Sequence, residues 1–305
     1  MSRLIARRLL EAILALIAMA GVMFFLLHLT HVSPAHAMLG QYWTPKKGAE
    51  LTAKLGLDKP IPVQFVLWIK SLVGAGGLGA VIRHLLPITL EMLILGGALG
   101  YVLSVFVACL QVRYAGSVVD RALSMVTGFI GAIPGFVIGL GLLQLLTIHW
   151  VVLPATAFTP PGTSFPNWVF HHALPVVALA ITVMGPWARQ LRGSMGDIAG
   201  AEYIRTARAK GASESRIISR HILKNALFPF ITLVGLSMPA MINTVIAFEL
   251  IFGVQGAGAA LLGSLYAAFF ARATTIALVL AVVTVLGSLT TDIAYTLIDP
   301  RVEYR

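Results

Sequence analysis

AEYIRTARAKGASESRIISRHILKNAL, residues Ala201 to Leu227, is a basic, amphipathic stretch set between long apolar runs. Ala201 to Lys210 consists of good helix formers, Gly211 can supply a sharp change of direction, and Ser213 with Arg216 to Lys224 can begin and continue a second helix. The spacing therefore predicts two short helices meeting at a glycine, a compact elbow. From Arg189 to Lys224 eight basic residues face only Asp197, Glu202 and Glu214, a polarity that keeps the segment out of lipid. Small residues at Ala207, Ala209, Gly211 and Ala212 let another backbone approach, with Arg205, Arg208 and Lys210 free for charged contacts at the rim. From composition two readings stand: a docking surface for a soluble partner, or a solvated linker at the lipid surface.

Outward from the elbow, the chain is oily. Of 305 residues 58% are hydrophobic and 11% charged, and the mean hydropathy is +0.89, whereas a soluble domain carries about 25% charge. Such a chain belongs in a bilayer, whose hydrocarbon core of about 30 Å takes roughly 20 helical residues. Six stretches reach that length: Leu9 to Leu29, Leu86 to Val112, Val119 to Ile148, Val169 to Trp187, Phe228 to Phe252 and Ala273 to Leu297. The expected fold class is an all-α membrane protein with six transmembrane helices. These runs are continuous, unlike the alternating, roughly ten-residue strands of a membrane barrel.

Orientation follows from lysine and arginine. With the N-terminus inside, Arg3, Arg7, Arg8, Arg113, Arg121, the eight basic residues from Arg189 to Lys224, Arg301 and Arg305 all face the cytoplasm. Both termini are then cytoplasmic, and the net charge of +10 reads as topology and contact with anionic membrane lipids. Nucleic-acid binding would need a basic face with base-reading or stacking groups, and no such pattern is present. Arg7 and Arg8, an apolar run and Ala35-His36-Ala37 mimic a signal peptide, but the run exceeds the usual 7 to 15 residues, so residues 1–30 read as a retained first helix.

Residues 31–85 change character, with Pro34, Pro45, Pro60, Pro62 and the glycine cluster Gly74 to Gly79. Within this extracytoplasmic loop, Lys47 to Leu57 and Val63 to Val73 have the spacing of short amphipathic helices. Residues 86–299 form a five-helix core that includes the loop 189–226, and 300–305 a cytoplasmic tail. The GxGxxG at Gly74 to Gly79 follows no strand, so it is not a dinucleotide fingerprint; no Walker A pattern, HExxH or paired-cysteine site occurs, and Cys109 stands alone as a packing residue. The chain is expected to hold no cofactor or metal and to be no enzyme. His28, His31 and His36, with His171 and His172, gather at the outer ends of two spans, where interfacial capping outweighs metal binding because no acid or thiol joins them.

Charges inside spans are costly and therefore informative. Glu91, Glu249 and Asp292 are the deepest, while Asp120 and Asp299 are expected to pair with adjacent Arg121 and Arg301. For Glu249 two readings stand, beside a translocation path or in a buried structural hydrogen bond. Gly131, Pro134 and Gly135 interrupt the third span, Pro175 and Pro186 the fourth, and Pro239 the fifth. Breaks at Pro134 and Pro239 suit hinges at a path but are also common in membrane helices.

Tyr203 to Gly211, followed by His221 and Asn225-Ala226-Leu227, resembles the cytoplasmic EAA loop of ABC importer permeases of the dipeptide, oligopeptide and nickel branch. Leu86-Pro87-Ile88-Thr89-Leu90-Glu91, Glu249-Leu250-Ile251-Phe252, Gly256-Ala257-Gly258, Asp292-Ile293-Ala294-Tyr295 and Asp299-Pro300-Arg301 are similar to the B-type subunit of that branch. The resemblance implies a type I importer fold, a second homologous permease subunit, two cytoplasmic ABC ATPases that bind the ATP and Mg, and an extracytoplasmic solute-binding protein. It also implies ATPase docking on Tyr203, Arg205, Thr206, Ala207, Arg208, Ala209, Lys210, Gly211 and Ala212. Arg205 stands where the general loop has glutamate, and Lys224 where proline follows, both as in the peptide and nickel branch. Gly77-Leu78-Gly79 and Phe269-Phe270-Ala271-Arg272 lack the acidic residues usual there, which bears on cargo. The implied cargo is a di- or oligopeptide, with nickel or another small solute as the alternative. An ion-coupled transporter is the alternative from another class.

Overall fold

The computed structural model describes residues 2–29, 34–73, 77–154, 164–267 and 269–298. Among them the secondary structure is helical: α1 Ser2–Leu29, α2 Pro34–Leu39, α3 Pro45–Leu55, α4 Ile61–Val73, α5 Leu78–Arg113, α6 Val118–Ala132, α7 Gly135–His149, α8 Phe165–Ala199, α9 Glu202–Ala209, α10 Glu214–Leu236, α11 Met238–Ile251, α12 Ala257–Tyr266 and α13 Phe270–Ile298. Four stretches are long and apolar enough to cross a membrane: α5, α8, α10 and Arg272–Leu289 of α13. The α6–α7 pair makes a fifth if its two bent halves count as one span. The first expected span falls on the 28-residue α1, whose described apolar run is Ile13–Phe25. His31, Asp299, Arg301 and the 300–305 tail lie outside the described residues, as do the side chains of His28 and Asp292.

The helices group into two compact units, residues 1–89 with 255–286, and residues 90–254 with 287–305. In the first unit, Phe24 of α1 is buried against Phe65 and Trp68 of α4, at ring separations of 5.2 and 5.6 Å. The two predicted amphipathic segments are α3 and α4. Thr44 caps α3 by accepting the Lys47 N–H, Pro45 occupies its first turn, and Gly56, with φ of +68°, ends it. Gln64 of α4 donates to the Leu57 and Lys59 carbonyls, tying α4 to the turn that follows α3. Thr89 of α5 accepts the N–H of Ala257 at 2.8 Å, satisfying one of the orphan donors at the start of α12.

The second unit is built on α8. This helix has 35 residues, about 52 Å, which exceeds the hydrocarbon thickness, so its polar end from Arg189 onward projects beyond the apolar part. Sequence places the end of this span at Trp187; the helix instead continues for three turns, because Gln190 to Ile198 contains no proline, and Gly193 and Gly196 weaken a helix without ending it. Helix α5 packs on α8 through Gly96 and Gly100: a Cβ on Gly96 would press on Leu179, and one on Gly100 on Val183 and the Ala180 carbonyl. This small-residue spacing of four allows close backbone approach in lipid. Gly100→Leu is expected to cost about 1–3 kcal/mol by overpacking. Thermal denaturation of the detergent-solubilised assembly would read this as a lowered midpoint.

Two breaks shape the same unit. Pro134 has no N–H for the Ile130 carbonyl, so α6 ends at Ala132 and α7 departs at 103°. Pro239 likewise cannot bond the Gly235 carbonyl; it sits in the first turn of α11, where that loss is harmless. The single span predicted over Phe228 to Phe252 is therefore two helices that part at Ser237, and the first of them begins as far back as Glu214.

Candidate functional site

The elbow is formed by α9, a turn and the start of α10. Gly211 has φ of +79°. Its N–H bonds the Arg208 carbonyl at 2.9 Å while the Ala212 N–H bonds the Ala207 carbonyl at 3.2 Å. These are the two bonds of a Schellman ending, which needs a left-handed residue at the glycine position. Ser213 then precedes α10 in extended conformation, without capping through its side chain. The second elbow helix is longer than sequence predicts: Arg216, Arg220 and Lys224 do not end it, and α10 continues from Glu214 to Leu236 through a π-helical stretch at Ile218–Leu223.

Burial divides the elbow into two faces. Ile204, Ile217, Ile222 and Ala226 are fully buried, which ties α9 and the first turns of α10 to the second unit's interior. Arg205, Thr206, Arg208, Ala209, Lys210 and Gly211 are exposed, as is Tyr203, whereas Ala207 and Ala212 are half-buried. Asn225 donates to the Tyr203 hydroxyl at 3.3 Å and to the His221 carbonyl at 2.8 Å, linking α9 to α10 again. Across the turn, Arg208 forks onto Glu214 at 2.7 and 3.3 Å. That hydrogen bond holds the Glu214 carboxyl below the usual glutamate range, with desolvation opposing it and the Arg208 and Arg113 charges assisting. Arg205 and Lys210 make no ion pair among the described residues, so their charge faces outward.

Asp120 does not pair with Arg121. Its carboxylate takes a two-pronged contact from Arg192 on α8, Nε to Oδ1 at 2.9 Å and Nη2 to Oδ2 at 2.8 Å. The Gly116 N–H adds a bond at 3.0 Å and the Ser124 hydroxyl one at 3.4 Å. Ser117 caps α6 through the Asp120 N–H, which turns the Asp120 side chain back toward Gly116 and leaves the exposed Arg121 outside. Nearness in sequence misled because adjacent helical residues point about 100° apart.

A cavity of about 500 Å³ lies where α8 passes the α10–α11 break. Thr182, Arg189 and Gln190 line it from α8, Ser237 and Thr244 from the other side, and Trp187 forms part of its wall. Trp187 donates to the Ser237 hydroxyl at 3.2 Å, and that hydroxyl donates to the Val234 carbonyl at 2.6 Å. Pro239 is exposed and lies between the lining residues Ser237 and Ala240. The Pro134 break is drawn to the same place: a Cβ on Gly131 would strike the Arg189 guanidinium, and one on Gly135 would meet Thr182 and Thr244. Glu249 is fully buried and is not among the lining residues. The structure thus gathers the surroundings of Pro134 and Pro239 around one space and sets Glu249 apart.

Glu91 meets a residue that the sequence reading assigned to interfacial capping. Nε2 of buried His172 lies 3.0 Å from a Glu91 carboxylate oxygen, and Nδ1 is 2.7 Å from the Trp168 carbonyl. No group of three or more His, Cys, Asp or Glu residues able to hold a metal occurs among the described residues.

Residues 100–304 match the family described as binding-protein-dependent transport system inner membrane component, and residues 1–84 match its N-terminal counterpart. The chain is 34% identical to a probable peptide ABC transporter permease protein, y4tP, of Sinorhizobium fredii, over 98% of this chain and 99% of that one. It is 30% identical to the oligopeptide transport system permease protein AppB of Bacillus subtilis, and 28% identical to the dipeptide transport system permease protein DppB of Escherichia coli K12, over the whole of each chain. Among solved structures, an inward-facing MetNI methionine ABC transporter superposes with a TM-score of 0.60 at 15% identity, covering 74% of this chain and 100% of that one. An amino acid ABC transporter solved with histidines gives 0.51 at 18% identity, covering 71% and 92%.

Proposed function

Because this chain belongs to the family of binding-protein-dependent transport system inner membrane components, we propose that it is one of two permease subunits of an ATP-driven importer of di- or oligopeptides. The peptide and oligopeptide names of relatives that align from end to end support the cargo. In this reading a second, homologous permease completes the path, an extracytoplasmic binding protein delivers the peptide, and two cytoplasmic ATPases hold ATP and Mg. The lysine and arginine distribution supports an inner-membrane location with both termini in the cytoplasm.

One observation carries the coupling role. The elbow is buried on its apolar face, exposed on its basic face, and joined to the cavity by a single helix. A push on α9 passes through the Gly211 turn into α10, a rod of 23 residues or about 35 Å, whose far end at Leu233 and the following Ser237 borders the cavity. ATPase closure would thereby act on the α10–α11 break and turn the path outward, and hydrolysis would reset it. In a Cys109→Ser background, Arg205→Cys labelled with a thiol-directed photoactivatable crosslinker is expected to attach to an ATPase subunit of the full assembly during turnover. Adducts with lipid alone would remove the coupling role. Uptake by this chain alone, insensitive to ATP removal, would instead favour the ion-coupled class.

A further inference from the structure

We propose that the cavity beside the two helix breaks is a recognition site for the C-terminal carboxylate of the transported peptide, with Arg189 as the group that binds it. This inference rests on the peptide reading given above. The lining holds one cation and no acid. Two arginines of α8, three residues apart, have contrasting fates: Arg192 is engaged by Asp120, while Arg189 has no carboxylate partner among the described residues. A guanidinium presents a planar fork suited to a carboxylate, and it loses little freedom when it binds one. Hydroxyls of Thr182, Ser237 and Thr244 and the amide of Gln190 line the same cavity, groups that can satisfy peptide N–H and C=O. Part of that capacity is already engaged, since Thr182 and Thr244 bond the carbonyls four residues before them and Ser237 bonds Val234. A volume of about 500 Å³ falls within the usual range for small-ligand pockets and suits a short peptide.

Gly131 of α6, which lies against the Arg189 guanidinium, supports the assignment. Its missing side chain leaves room for the end of Arg189, so even a methyl group there would push the guanidinium aside. Because only the flexible tip of a long side chain must move, Gly131→Ala should displace the charge without disturbing the helices.

The test compares uptake of tri-alanine with that of its C-terminal amide, in cells carrying the complete transport system and an unaltered binding protein. Any change of ratio between variants then comes from the permease. Arg189→Gln is expected to lower tri-alanine uptake about tenfold at equal membrane abundance, the scale of a charge-assisted hydrogen bond, and to spare the amide. Arg189→Lys should restore part of the loss, and Gly131→Ala should shift the acid-to-amide ratio in the same direction as Arg189→Gln. If Arg189→Gln fails to reach the membrane, Gly131→Ala decides the matter. Wild-type import of both peptides with a ratio unmoved in the surviving variants overturns the site alone. A wild-type assembly that hydrolyses ATP and imports another solute but neither peptide overturns the peptide reading, and the site with it.

Discussion

Replacing Gly211 with valine is expected to abolish coupled uptake, with ATP hydrolysis continuing in the assembled complex. A Cβ at this position would meet nothing within 4 Å, so the effect arises from the backbone and not from a clash inside the chain. At φ of +79° an L-residue costs about 1–2 kcal/mol, most for a β-branched one, which lowers the population of the Schellman turn roughly 5- to 30-fold. Without that turn α9 no longer points its basic face at a fixed angle to α10, and a push on it is not delivered to Leu236. The size series separates this cause from a contact made by a partner. Asparagine tolerates the left-handed region, so uptake falling in the order Gly, Asn, Ala, Val identifies the turn. Uptake falling in order of side-chain bulk, with Asn below Ala, would identify a partner packed on the glycine and would sink the turn argument. ATP hydrolysis measured on the same preparations checks that assembly is intact.

The elbow was legible because its signals are local. Glycine after Lys210 marks the turn, alternation of Ile204 with exposed charge marks the faces, and the length of apolar runs marks the spans. The features that sequence concealed depend on distance or on what a helix can absorb. The sequence carries the second elbow helix only as far as Lys224, yet polar residues with good helix propensity do not stop α10, and only the proline two residues past Ser237 does. Pro134 announced an interruption, but its 103° angle is set by packing: Gly135 fits against Thr182 and Thr244 and Gly139 against Phe248. The pair Gly96 and Gly100 carried a readable spacing that hydropathy alone passes over. The cavity has no sequence signature, since its polar residues come from α8 and the α10–α11 break, about fifty positions apart.

Arg192→Ala should destabilise the second unit more than any other change to this ion pair, because the fork it removes leaves a buried carboxylate behind. The Asp120 side chain is 5% exposed and that of Arg192 is 40% exposed, so the two partners are not equivalent. An arginine that loses Asp120 can turn to water; an aspartate that loses Arg192 keeps only the Gly116 N–H and the long contact with Ser124. Breaking a buried pair from the arginine side costs about 3–5 kcal/mol, whereas removing the acid leaves the cheaper orphan. Asp120→Asn is thus expected to be milder than Arg192→Ala, and the double substitution milder than Arg192→Ala alone, since no buried charge remains. Arg192→Lys keeps the charge but not the two parallel bonds, and should fall between. Thermal unfolding of the solubilised assembly, followed by intrinsic fluorescence, ranks the four. Equal midpoints for Asp120→Asn and Arg192→Ala would show that the carboxylate is solvated after all, and the fork would then be a surface ion pair of small effect.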